Sequence, residues 1–152
     1  MIESSCIDQY NRVVRFLSRL GYDNYGSINY DDNLYSFFQN CWHLKDWIKN
    51  DDTVDKALRD NIENIVKNYP NIMISCDLAN ATKHLKLTTS RAGADIVGRS
   101  VIVTLGDVSK STCLHKIMLD DGGEVSAQEV AKLAEEEWRQ ILEKNSLLQQ
   151  KP

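Results

Sequence analysis

The chain predicts a mainly α fold: an antiparallel helical bundle of about four N-terminal helices, followed by a β-hairpin and a C-terminal helix. Three observations carry that prediction. Apolar residues recur at helical spacing, with short polar breaks, through residues 4–88. Between residues 99 and 120 the pattern turns to alternation. Ser126-x-x-Glu129 then forms a capping box ahead of a last helical stripe over residues 126–146. A hairpin and one helix do not make an independent core, so residues 1–152 read as one domain.

The first helix is predicted to start at Ser4 or Ser5, where Ser5-x-x-Asp8 is a variant capping box. It should bury Ile7, Tyr10, Val14, Leu17 and Leu20 before Gly21 ends it. Residues 22–30 set Gly26, Ser27 and two asparagines among three tyrosines, the pattern of an ordered loop. A second helix, residues 32–50, opens at Asp31 or Asp32. It places Leu34, Phe37, Cys41, Leu44 and Ile48 within one arc of about 80°. The third follows an Asp51-Asp52-Thr53 cap, carries Val54, Leu58, Ile62, Ile65 and Tyr69, and stops at Pro70. The fourth runs from Asn71 to Leu87, and residues 88–98 read as a connecting loop. Val101, Val103 and Leu105 alternate with polar neighbours, a turn is expected over Gly106 to Lys110, and a second strand over Thr112 to Leu119. After the turn Asp120-Asp121-Gly122-Gly123, the last helix carries Val130, Leu133, Ala134, Trp138, Ile141 and Leu142.

Composition narrows the classes of function. Hydrophobic residues make up 42% and charged residues 26% of the 152, as in a globular protein. A net charge of −4 gives no global attraction to phosphate backbones, so DNA is disfavoured as a partner. Cys6, Cys41, Cys76 and Cys113 form no C-x-x-C pair and read as reduced thiols. The N-terminus lacks the basic and apolar regions of a signal peptide, and no apolar run reaches the roughly 20 residues of a membrane span. A cytoplasmic protein without membrane partners is expected.

One polar constellation stands out. On the fourth helix Asp77, Asn80 and His84 follow i, i+3, i+7 beside the apolar stripe Ile74, Leu78, Ala81 and Leu85, which puts them on the rim of the core. Lys83 points about 100° away from His84, toward solvent or a bound anion. On the second helix His43 and Asp46 are i and i+3, face away from the core arc and are flanked by Trp42 and Trp47. Two indoles on a freely solvated face would expose a large apolar area. His43 and Asp46 are therefore expected to meet a neighbouring helix or to share one pocket with Asp77 and His84.

Three readings of the set follow. The residues satisfy one another as a buried network that fixes helix register. Two His and two Asp form a bundle-core metal site, although the Glu-x-x-His pattern of di-metal carboxylate proteins is absent. Or His84 is a general acid or base, oriented by Asp77 or Asn80, with Lys83 or an arginine stabilising an anionic transition state. Arg91 and Arg99 flank the loop after the fourth helix as candidate phosphate contacts. No G-x-S-x-G, Walker A, G-x-G-x-x-G, H-E-x-x-H or EF-hand pattern occurs, so neither a cofactor nor a metal is called for by motif.

Cys41-Trp42-His43-Leu44-Lys45-Asp46-Trp47-Ile48 and Cys76-Asp77-Leu78-Ala79-Asn80-Ala81-Thr82-Lys83-His84 resemble a bacterial helical family with W-H-L-x-D-W and D-x-A-N-x-x-K-H signatures. Residues 31–88 are also distantly similar to the HEPN superfamily, which includes dimeric, metal-independent RNases of toxin–antitoxin and phage-defence systems. That resemblance implies RNA or a nucleotide as ligand, His84 activating a 2′-hydroxyl, Lys83 as the nearby cation, and a homodimer. HEPN ribonucleases place an arginine ahead of the histidine, whereas the residue before Asp77 is Cys76, so an inactive relative kept for binding is implied equally. The alternatives are a non-catalytic interaction module or homodimeric structural protein, docking through Trp42, Trp47 and the acidic last helix (Glu129, Glu135, Glu136, Glu137), and a metal-dependent hydrolase.

Overall fold

The computed structural model describes residues 5–20, 28–84, 94–102, 112–119 and 122–150. It is mainly helical. Among the described residues the order is α1 (Cys6–Ser18), α2 (Ile28–Asn50), α3 (Lys56–Val66), α4 (Pro70–His84), β1 (Ala94–Ile102), β2 (Thr112–Leu119), β3 (Glu124–Ser126) and α5 (Ala127–Lys144). No described helix is long and apolar enough to cross a membrane.

Local chemistry sets the helix ends. Ser5 and Asp8 form the capping box that starts α1: the Ser5 hydroxyl accepts from the Asp8 amide, and the Asp8 carboxylate accepts from the Ser5 amide. Helix α1 buries Cys6, Gln9, Tyr10 and Val13, while Val14, expected inside, is exposed. Both valines are apolar and adjacent, so periodicity alone does not choose between two faces about 100° apart.

Helix α2 begins at Ile28 rather than Asp32, because Tyr30, read as part of a loop, is wholly buried in the first turn. Helix α3 begins later than the Asp51-Asp52-Thr53 reading implies, with Asp55 at its N-cap and no side-chain bond there. Asp51 has other work: its carboxylate accepts from the Thr53 amide and hydroxyl, at 3.0 and 2.6 Å, and from the Cys6 amide at 2.8 Å. One buried carboxylate thus ties the start of α1 to the α2–α3 connection. Pro70 does not terminate α3, which ends at Val66; it occupies the first position of α4, where a missing N–H costs nothing.

Strand β1 pairs antiparallel with β2, from Ala94 opposite Leu119 to Ile102 opposite Thr112, with a bulge between Ile96 and Gly98; β3 adds on the far side of β2. Residues 94–98 were expected in a loop, but Ile96 and Val97 are β-branched and extend the strand. The turn expected at Gly106 to Lys110 lies outside the described residues.

The last helix joins the others. Ser126 caps α5 by accepting from the Glu129 amide, and Val130, Ala131, Ala134, Trp138, Ile141 and Leu142 are buried along it. Its polar side chains reach three helices. Tyr10 of α1 donates to Glu135 at 2.5 Å. Trp138 Nε1 donates to the Cys41 carbonyl of α2 at 2.9 Å. Glu137 accepts from the Asn71 amide and side chain and from the Ile72 amide, at 3.3, 2.7 and 2.9 Å. Those amides belong to the first turn of α4 and have no acceptor within the helix, so a carboxylate from a distant element caps it.

Candidate functional site

Helix α2 has two working sides. Leu34, Phe37, Cys41, Leu44 and Ile48 are all fully buried, as their arc requires. The other side carries Gln39, Trp42, His43 and Asp46. With Ala79 and Asn80 of α4 they line one open groove of about 400 Å³. His43 is exposed, Asp46 half-buried, and Trp42 buried to 9% exposure, forming the wall.

Three of the six nominated residues, His43, Asp46 and Asn80, therefore meet in one solvent-open place. Asp77 does not. It is fully buried, because α4 is packed from several sides and every side chain from Ile74 to Ala79 is inside. The expectation that Asp77 sits with Asn80 on the rim of the core assumed an amphipathic helix, and α4 is a central one. Asn80 donates from Nδ2 to the Cys76 sulfur at 3.5 Å. Lys83 and His84 occupy the final turn of α4, and their side chains lie outside the described residues, as does Arg91.

A second recess, about 640 Å³, adjoins the groove among α2, α3 and α4 and shares Trp42 and Asn80 with it. Lys45, Glu63, Asn64 and Lys67 contribute its polar lining. The Lys45 ammonium lies 4.8 Å from the Trp42 ring centroid, 2.5 Å from the Asp46 carboxylate and 3.7 Å from that of Glu63. Lys49 reaches Glu63 at 3.3 Å. The Lys49 hydrogen bond, with the charges of Lys49 and Lys45, holds the Glu63 carboxyl below its ordinary value.

The two tryptophans that flank His43 and Asp46 serve different neighbours. Trp42 walls the cleft, while Trp47 is half-buried with the Arg12 guanidinium of α1 5.4 Å from its ring. Gln39, Lys45 and the wall role of Trp42 were not picked out from sequence. Gln39 was within reach, being i−4 from His43 and so on the same face.

No protein-family model, curated protein or solved structure matches the chain. The chemistry of the site rests on its own residues. His43 and Asp46 supply an imidazole and a carboxylate on successive turns, Asn80 and Gln39 supply amides, and Lys45 supplies a cation. Among the described residues no three His, Cys, Asp or Glu side chains are grouped to hold a metal ion. The buried thiols are poor nucleophiles: burial pushes Cys41 up to about 12, and burial together with the neighbouring Asp51 does the same for Cys6. Two of the four acidic residues expected to dock a partner, Glu135 and Glu137, are bonded within the fold.

Proposed function

We propose that the protein is a HEPN-like helical protein whose α2–α4 groove binds and cleaves single-stranded RNA without a metal. The convergence of His43, Asp46 and Asn80, from two helices, on one open groove carries this reading. Histidine supports it because an imidazole can both accept and donate a proton as a general base and a general acid. One imidazole removes the 2′-hydroxyl proton, O2′ attacks phosphorus, the P–O5′ bond breaks, and the leaving oxygen receives a proton from the second imidazole. The products are a 2′,3′-cyclic phosphate and a 5′-hydroxyl. His43 and His84 are assigned these two roles. Asp46 orients His43, Asn80 positions the substrate, and Lys83 lends charge from the last turn of α4. Asp77 is assigned a structural role within α4, on the antiparallel bundle that the helical spacing predicts.

Incubating purified protein with a short single-stranded RNA in excess chelator tests the proposal. Cyclic-phosphate ends should form, and His43→Ala and His84→Ala should each abolish them while leaving the fold intact. RNA that stays whole with the wild-type protein overturns it. A non-catalytic interaction module is favoured by a different observation, the carboxylates Asp46, Asp60 and Glu63 around the cleft, which suit a basic protein segment. It predicts intact RNA together with a complex visible by light scattering.

A further inference from the structure

We propose that Lys45 is the anion-binding cation of this cleft, restrained by Asp46 and Glu63 in the free protein and transferred to a phosphate oxygen when ligand enters. The inference rests on the reading of the groove as a phosphodiester site and identifies the cation next to it, on α2 rather than on α4.

Position comes first. Lys45 lines the recess, stacks over Trp42, which walls both lobes, and touches Asp46, which lines the groove. Its side chain is only 12% exposed, so the indole and the two carboxylates confine it to the junction of the lobes. A flexible cation held in place in advance loses less rotamer freedom when an anion arrives.

The restraints are also ones that a ligand can replace. Asp46 and Glu63 have side chains 48% and 55% exposed, and ion pairs to such carboxylates are weak because water screens them. Glu63 keeps Lys49 at 3.3 Å when Lys45 leaves. Asp46 is left with an open carboxylate on the turn next to His43, in the same groove. Anion binding therefore does two things at once: it supplies a cation to the phosphate and frees Asp46 to accept from the His43 imidazole. A lysine paired only with a buried acid would offer neither.

The test is binding of a fluorescent 2′-O-methyl RNA oligonucleotide, which cannot cyclise, followed by anisotropy over a range of salt. Lys45→Met should weaken binding about tenfold at low salt, the loss of one charge-assisted contact. It should also make the dependence of log K on log salt shallower by about 0.7. Lys45→Arg should restore both. Lys132→Met, which removes an exposed cation of α5 that lines neither lobe, should leave both unchanged. Should Lys45→Met fail to fold, Lys45→Gln is read in its place. Wild-type affinity and slope in the Lys45 variant, or an equal loss in the Lys132 variant, overturn the proposal while leaving the groove as an RNA site. No binding by the wild-type protein overturns both.

Discussion

Replacing Glu137 by alanine tests how α4, the helix that brings Asn80 to the groove, is held. The carboxylate accepts three hydrogen bonds, two of them from first-turn amides that have no partner inside the helix. A hydrogen bond to a charged group contributes about 1.5–3 kcal/mol. A negative charge at a helix N-terminus adds about 0.3–1 kcal/mol. The site is only partly buried, so water replaces some of these bonds after truncation, and a total loss of about 2–3 kcal/mol follows. For a chain of this size each kcal/mol moves Tm by about 2–4 °C, so Glu137→Ala should melt about 5–10 °C lower. Glu137→Gln keeps one oxygen for the Ile72 amide and loses the charge, and should cost about 1 kcal/mol. Thermal and urea unfolding followed by far-UV circular dichroism measure both. A loss under about 0.5 kcal/mol for the alanine variant, the range of an ordinary surface substitution, would refute the long-range cap.

Asp51 should govern the acid limb of stability. Burial raises its carboxyl pKa, but the bonds from Thr53 and Cys6 outweigh burial and bring it below the ordinary 3.8. Its stabilisation is therefore full above that value and lost as pH falls through the lower folded one, and Asp51→Asn should flatten stability against pH below about 4. Trp138→Phe keeps most of the packing but removes the indole bond to the Cys41 carbonyl, which keeps its place in the α2 helix ladder, and should cost about 1 kcal/mol by chemical denaturation. At pH 8 a disulfide reagent should leave Cys6 and Cys41 unmodified in the folded protein and label both in denaturant, since burial suppresses their thiolates. His43→Ala, at an exposed position, should change stability by less than about 0.5 kcal/mol, which separates any loss of activity from unfolding.

Where one face of a helix meets the core, the residues announce it. The α2 arc from Leu34 to Ile48 and the α5 stripe from Val130 to Leu142 are legible because apolar residues recur along each at helical spacing. Helix α4 resists that logic: packed from several sides, it takes Ser75 and Asp77 inside with Ile74 and Leu78. No period then separates groove from interior, and Asp77 and Asn80 look alike in sequence while lying in different places. His43 and Asp46 were legible as a pair because two tryptophans beside them required neighbours. The cation was not picked out: Trp42, three residues before Lys45 on the same face of α2, was within reach, but Glu63 of α3 meets Lys45 only through folding.

The bonds from α5 to three other helices also have a consequence in time. They join positions 125, 97 and 66 residues apart. Contacts so distant in sequence are closed late, after local turns and helices have formed. During synthesis α1 to α4 emerge before α5, so the bonds that α5 makes to α1, α2 and α4 are added to helices that have already left the ribosome.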